Sequence, residues 1–376
     1  MPKAPPPLEV LVLGEHPSAY LASAMLAEKH VRVAHATIPN DPVADRLVLI
    51  NPDLFDLDPM LSPLKRKIAS TTIYGIRFLG ADAGTSAEHR GKAGMACLAH
   101  YADVRDAMRK LAEQHGVPMH APRSLQIGHL DEAGVEVQLD EQSIKPRMLI
   151  VAGRLPAAQQ RTLGMPETWG PQVMRRVTLL KLKGAKYAES QPKPLVLMSL
   201  DLGGDLCWAW MMSHDGQHQL VVEEPVETAA HRAPAGLLRQ WVHLLHTHGA
   251  IKTIDLPFDD ATQLDMPMAG ALEQECVANR TLLIGPAGGF YSGSGEDIYP
   301  ACWSVIFAVD TARKALKEPH LQDALAPYRQ KWRTTLGEYL RGPRANLRFL
   351  LPLIYRNAVM TQRMSEAILQ GKGVVR

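Results

Sequence analysis

Cysteine is scarce: the chain has four, Cys97, Cys207, Cys276 and Cys302. No two stand in a Cys-x-x-Cys spacing, which argues against a disulfide framework or a cysteine-held zinc ion. They read as small buried hydrophobes of a reducing compartment. An excess of either sign of charge is missing as well. A formal net charge of +2 leaves no basic footprint, so no nucleic-acid partner is expected. No apolar run approaches the ~20 residues that cross a bilayer. The opening Met1-Pro2-Lys3-Ala4-Pro5-Pro6-Pro7 lacks the apolar core of a secretory leader, and the expected location is cytoplasmic. His243, His246 and His248 fall at the end of one predicted helix with no carboxylate or cysteine at ligand spacing, so no metal is expected. A serine nucleophile has no elbow either, because Gly293-Ser294-Gly295 does not match G-x-S-x-G.

What is present is an ordinary globular composition over 376 residues, enough for two domains with full cores. The most informative stretch is 281–316. It opens as a short apolar strand, 281–284, and enters a helix at about Asp297. Between them lie glycines at 285, 288, 289, 293 and 295. Five glycines in eleven residues mean that backbone approaches something closely, or takes positive φ, several times in one loop. A strand, a glycine loop and a helix N-terminus together favour an anionic or electron-rich ligand.

The chain begins as β-α-β: a strand at 8–13, a helix at 17–29 and a second strand at 31–34, with a tight turn at Gly14. That turn reads Gly14-Glu15-His16-Pro17-Ser18-Ala19, whereas a working GxGxxG needs glycine at 16 and 19. Strands are predicted at 46–51 and 71–79, and a helix at 99–115 ended by Gly116. Short strands at 117–120, 124–127, 135–139 and 148–152 follow, with a turn at 131–134. From about 172 to 222 longer alternating segments (173–182, 195–200, 206–213 and 219–222) predict an antiparallel sheet. A helix at 227–247 follows it. Helices at 321–340 and from 344 to about 370, the latter interrupted by Pro352, close the chain.

With these elements in place, the order resembles the flavoproteins of the p-hydroxybenzoate hydroxylase fold, and among them the geranylgeranyl reductase-like branch. Four segments carry the resemblance. Residues 11–29 look like the first dinucleotide turn and helix. Tyr101-Ala102-Asp103-Val104 through Gly116-Val117 is similar to the family's Arg-x-x-Phe-Asp helix. Residues 150–165 look like its Gly-Ala-Asp-Gly strand and the Leu-Gly after it. Residues 285–298 look like the Gly-Asp-Ala-Ala-Gly-Phe…Gly-Glu-Gly-Ile loop. The tail at 364–373 also resembles that branch's last helix.

The resemblance implies an α/β fold: a Rossmann-like, GR2-type dinucleotide-binding domain, an inserted antiparallel substrate domain and C-terminal helices. The implied division is 1–70, 99–165 and 275–330 for the FAD/NAD(P)-binding-like domain, 71–98 and 166–274 for the insert, and 331–376 for the helices. It implies FAD, held by Gly14, Pro17, Gly285, Ala287, Gly288, Gly289, Gly293, Ser294, Gly295 and Glu296. It also implies a small apolar substrate near Phe290 and Tyr291 and beside the alternating Trp208, Trp210 and Met212. Those three equally fit one sheet face packed on the other domain.

The departures fall on the phosphate and adenosine contacts. His16 and Ala19 replace glycines, and about Thr37 replaces the acidic residue for the ribose. Tyr101 replaces the arginine, about Gly153 the aspartate of Gly-Ala-Asp-Gly, and Pro286 the aspartate of Gly-Asp. Losing two charge-assisted contacts weakens binding by roughly 10²–10⁴-fold. Two functions therefore stay open. One is an FAD-linked reductase or monooxygenase acting on an apolar, isoprenoid or aromatic substrate. The other is a flavin-free member that binds a ligand or partner, or does non-redox chemistry in the vacated cleft. No general acid or base stands out; Glu296 and Asp297 qualify by location alone. Residues 341–363 mix five arginines with an apolar run, a pattern that fits either a membrane-peripheral helix or one that closes the core.

Overall fold

The computed structural model describes residues 7–39, 45–82, 84–165, 174–184, 187, 193–204, 206–233, 235–267, 276–289, 298–341 and 347–374. Strands β1 (Val10–Leu13) and β2 (Val33–Ala36) are buried at every position, as parallel strands covered on both faces must be. Helix α1 (Pro17–Glu28) joins them, with proline in the first turn where its missing N–H costs nothing. It is buried from Pro17 to Leu26, a core helix wedged between neighbours. The second strand begins at Val33, two residues later than the pattern predicts. Val31 instead donates its N–H to Leu26 O (3.0 Å), closing the end of α1.

Next come β3 (Leu47–Ile50), β4 (Thr71–Ile73), β5 (Gly75–Leu79), β6 (Ser86–Arg90) and β7 (Ala96–His100). The run predicted at 71–79 breaks at Tyr74, whose N–H goes to Pro194 O (2.9 Å). Its halves, β4 and β5, lie in different sheets. Helix α2 (Tyr101–Gln114) starts two residues later than predicted because Ala99 and His100 pair with Val48 and Leu47 as strand. Its stripe of Val104, Met108, Leu111 and Ala112 is buried, and Gly116 at φ +71° ends it.

Short strands β8 (Met119–His120), β9 (Leu125–Leu130), β10 (Val135–Leu139), β11 (Gln142–Ile144) and β12 (Met148–Val151) follow, then α3 (Ala157–Thr162). The long strands are β13 (Met174–Lys183), β14 (Val196–Leu202), β15 (Cys207–His214) and β16 (Gln217–Pro225). The helix predicted at 227–247 is two, α4 (Val226–Ala229) and α5 (Gly236–Thr247). Pro234 in the sequence disfavours helix at the residue before it.

The remaining strands are β17 (Thr262–Pro267), β18 (Val277–Ala278) and β19 (Thr281–Leu283). Helix α6 (Ile298–Ala315) precedes α7 (Leu321–Leu325) and α8 (Pro327–Arg341), which split the predicted 321–340 helix just before Pro327. Last come α9 (Leu347–Arg356) and α10 (Ala358–Gln370). Pro352 sits inside α9 and does not interrupt it. The break comes at Asn357, whose side chain caps α10 by accepting from the N–H groups of Val359 (2.9 Å) and Met360 (3.3 Å).

Four sheets result. The parallel one has the order β18-β19-β12-β1-β2-β8, antiparallel only at β18. On one side α1 packs against α2 and α6, and the core there runs from Tyr20 to Trp332. On the other, the β9–β11 meander contributes Val135, Val137 and Leu139 to a second core. The seven-stranded sheet β17-β13-β16-β15-β14-β5-β6 is mixed, with β14 and β5 parallel. A small sheet, β3-β7-β4, lies beside it. Buried Gln219 of β16 ties the two, accepting from Leu47 N–H (2.6 Å) and donating to Leu47 O (3.0 Å). Among the described residues no helix is long and apolar enough to cross a membrane.

Candidate functional site

The end of β1 meets the end of β12 at a pair of glycines. Gly14 takes φ +125°, and a Cβ there would lie 2.8 Å from Gly153 N, so no larger residue fits. Two residues on, His16 turns its ring back over the start of α1. Its Nδ1 accepts from Ser18 N–H at 3.2 Å and lies 2.8 Å from Ser18 Oγ. Pro17 carries no N–H, and Ala19 N–H donates to His16 O (2.8 Å). The first three positions of α1 therefore present no N–H outward. A phosphate at a helix N-terminus is held by those groups, and here the chain itself has taken them.

The opposite wall is the turn after β19. Tyr328 Oη donates to Leu283 O (2.9 Å) and holds the strand end. Gly285 follows at φ +54°, donating its N–H to Ser304 Oγ (3.1 Å). A Cβ on Gly285 would meet Ser18 Oγ at 2.6 Å and His16 Nδ1 at 3.3 Å, so this turn sits directly on the capped helix start. Pro286 has no N–H. Gly288 and Gly289 donate theirs to Ile284 O (3.3 Å) and Pro286 O (3.0 Å). Ala287 is half-buried and packs on the meander-side core. Gly285→Ala is therefore expected to cost about 2–4 kcal/mol, from the left-handed backbone and the clash together. Urea unfolding measures it.

Tyr101 stands where the resemblance implies arginine. It is buried, with its ring 5.9 Å from that of His16 and tilted by 56°. The Arg46 guanidinium lies over the Tyr101 ring, 4.4 Å from its centroid. An arginine thus stands over Tyr101, but it comes from the flank of β3. Nothing in the spacing of the sequence pointed to it.

Beyond the turn, β2 finishes at Ala36. Thr37, with no carboxylate, gives its backbone N–H to His120 O (3.0 Å). His35 and Tyr20 stack at 4.4 Å with rings 10° apart. Ser23 Oγ donates to Ala19 O (3.1 Å) and lies 3.0 Å from His35 Nδ1, the arrangement of a neutral imidazole with its proton on Nδ1. Burial drives the His35 pKa down to about 3. Burial, with Glu15 nearby, pushes Tyr20 up to about 12. Both rings are uncharged near neutral pH.

The predicted residues divide accordingly. Gly14, Pro17, Gly285, Ala287, Gly288 and Gly289 come together around the two facing turns. Phe290, Tyr291, Gly293, Ser294, Gly295, Glu296 and Asp297 lie outside the described residues. Trp208, Trp210 and Met212 share one face of β15 and are all buried. They belong to one core with Leu347, Leu350, Ile354, Met364 and Ile368 of α9 and α10. The alternate residues Cys207, Ala209 and Met211 face the α5 side, with Trp241.

No family model matches the chain, and no curated protein matches it in sequence. Solved structures do match in fold. One is a geranylgeranyl bacteriochlorophyll reductase-like protein from Thermoplasma acidophilum, with a TM-score of 0.71 at 11% identity, over 98% of this chain and 92% of that one. Another is the flavin-dependent brominase Bmp2, with a TM-score of 0.66 at 12% identity, over 97% and 94%. PqsL of P. aeruginosa, solved in complex with 2-aminobenzoylacetate, gives 0.64 at 12% identity, over 96% and 99%. The parallel Rossmann-like sheet, the antiparallel sheets and these neighbours together give the chain the flavoprotein fold of the p-hydroxybenzoate hydroxylase type.

Proposed function

We propose that this chain works without resident FAD, as a ligand-binding or partner protein on a flavoprotein fold. The observation that carries this is the closed start of α1, where His16 Nδ1 takes the Ser18 N–H and His16 O takes that of Ala19. A diphosphate would have to displace an internal cap and meet a turn that is already in contact with it. The diphosphate end of FAD therefore does not fit these residues, and no step is routed through it. Gly293-Ser294-Gly295-Glu296 persists in the sequence. The ligand class this leaves is a planar ring system without a diphosphate. The purified protein is expected to be colourless and to show no saturable quenching of FAD fluorescence at high micromolar FAD. A yellow protein with stoichiometric FAD would overturn the proposal.

A second reading is an FAD-linked oxidoreductase acting on an apolar, isoprenoid or aromatic substrate. Arg46, stacked on Tyr101 beside His16, is the observation that favours it. It sets a fixed positive charge on Tyr101, the position where the resemblance would have an arginine. Neighbours described as flavin-dependent support the same reading. A bound flavin would supply hydride or oxygen chemistry, and the chain's part would be to hold the ring and exclude water.

A further inference from the structure

Four large hydrophobic side chains are exposed among the described residues, and three of them crowd into one short stretch: Phe349 at 82%, Leu353 at 46% and Val359 at 56%. Helix α9 is split lengthwise. Leu347, Leu350 and Ile354 are buried against the Trp208–Met212 core. Phe349, Leu353 and Arg356 recur at i, i+4 and i+7 on the outer side. Closing the core thus uses only one side of this helix and leaves its apolar outer side unexplained.

Along the sequence of this stretch the charge is one-signed, and the nearby Glu88 of β6 is paired with Arg90 (2.9 Å). From 341 to 365 the sequence holds five arginines and no aspartate or glutamate, in a chain whose net charge is only +2. Arg348, Arg356 and Arg363 are exposed and form no salt bridge among the described residues. The first acid after them, Glu366, lies 3.7 Å from Lys372.

We infer that the outer side of α9 and the first turn of α10 dock on the surface of an anionic lipid bilayer. Phe349, Leu353 and Val359 would enter the headgroup boundary while the arginines meet lipid phosphates and carboxylates. An acidic protein surface would account for the arginines. The highly exposed Phe349, with Leu353 one turn on, fits the acyl boundary of a bilayer better. The inference is independent of whether the nucleotide cleft holds a flavin.

The test is co-sedimentation of the full chain with vesicles of phosphatidylcholine alone, or with about one-third phosphatidylserine. Binding is expected only to the anionic vesicles and is expected to fall as salt rises. Phe349→Ser with Leu353→Ser, and separately Arg348→Gln with Arg356→Gln, should each reduce it by about tenfold or more. Circular dichroism and melting temperature should not change, since all four side chains are exposed. Equal binding to neutral vesicles, no binding by the wild type, or retention by both double variants would overturn the inference. So would a wild-type dimer that Phe349→Ser dissociates, because a second copy would then cover the patch.

Discussion

His16→Gly combined with Ala19→Gly and Pro286→Asp is expected to raise affinity for FAD by roughly 10²–10⁴-fold. Removing the imidazole frees the Ser18 N–H that now ends on His16 Nδ1 and reopens the helix dipole to a phosphate. Glycine at 19 lets backbone approach where alanine now stands. Aspartate at 286 replaces a residue without an N–H by one that offers a carboxylate to ribityl hydroxyls. The same triple change removes a helix cap and puts glycine inside α1, so stability should fall by about 1–1.5 kcal/mol. Higher affinity at lower stability separates opening of the subsite from a general improvement in folding. An unchanged FAD titration in a folded variant would mean that His16 is not what closes it.

The other large effect is on stability against pH. His35 is 1% exposed and stays neutral in the folded chain down to about pH 3. Once unfolded it binds a proton below about 6.5. The unfolded state thus holds the extra proton throughout that window. The stability His35 contributes is complete above pH 6.5 and is lost as pH falls from there toward 3. The loss is roughly 1.4 kcal/mol per pH unit, on the order of 3–5 kcal/mol across the window. Burial lowers His214 and His218 as well, which adds to the same slope. His35→Phe keeps a ring stacked on Tyr20 and removes the titration. Urea unfolding at pH 7, 5.5 and 4 should show a shallower acid limb for this variant. An identical slope would mean that His35 is protonated in the folded state.

Gly14 and Gly285 could be read from sequence, because a turn that brings two backbones together or demands positive φ leaves few other choices. The alternation of Trp208, Trp210 and Met212 was equally plain, since a strand puts every second residue on one face. What covers that face was not, because the partners lie in α9 and α10, far along the chain. The capping of the α1 start that the proposal rests on was only half legible. A histidine at position 16 says that glycine is absent. Its ring orientation depends on Ser18 two residues later and on Gly285 arriving from a distant strand. Arg46 gave no sign, since a stack on Tyr101 follows from how β3 lies against β7. Pro352 misled for a physical reason: its local cost is outweighed by the burial of Leu347, Leu350 and Ile354, and the helix ends where Asn357 can cap the next one.

The most direct test of the closed diphosphate subsite is to titrate the purified chain with FAD and, in parallel, with riboflavin, which has the ring and the ribityl chain but neither diphosphate nor adenosine. Fluorescence quenching reports both. FAD is predicted to bind no more tightly than riboflavin, because the groups that would hold its second half are already committed within the chain. FAD binding 100-fold or more tightly than riboflavin would contradict that prediction, and with it the proposal that this fold works here without its flavin.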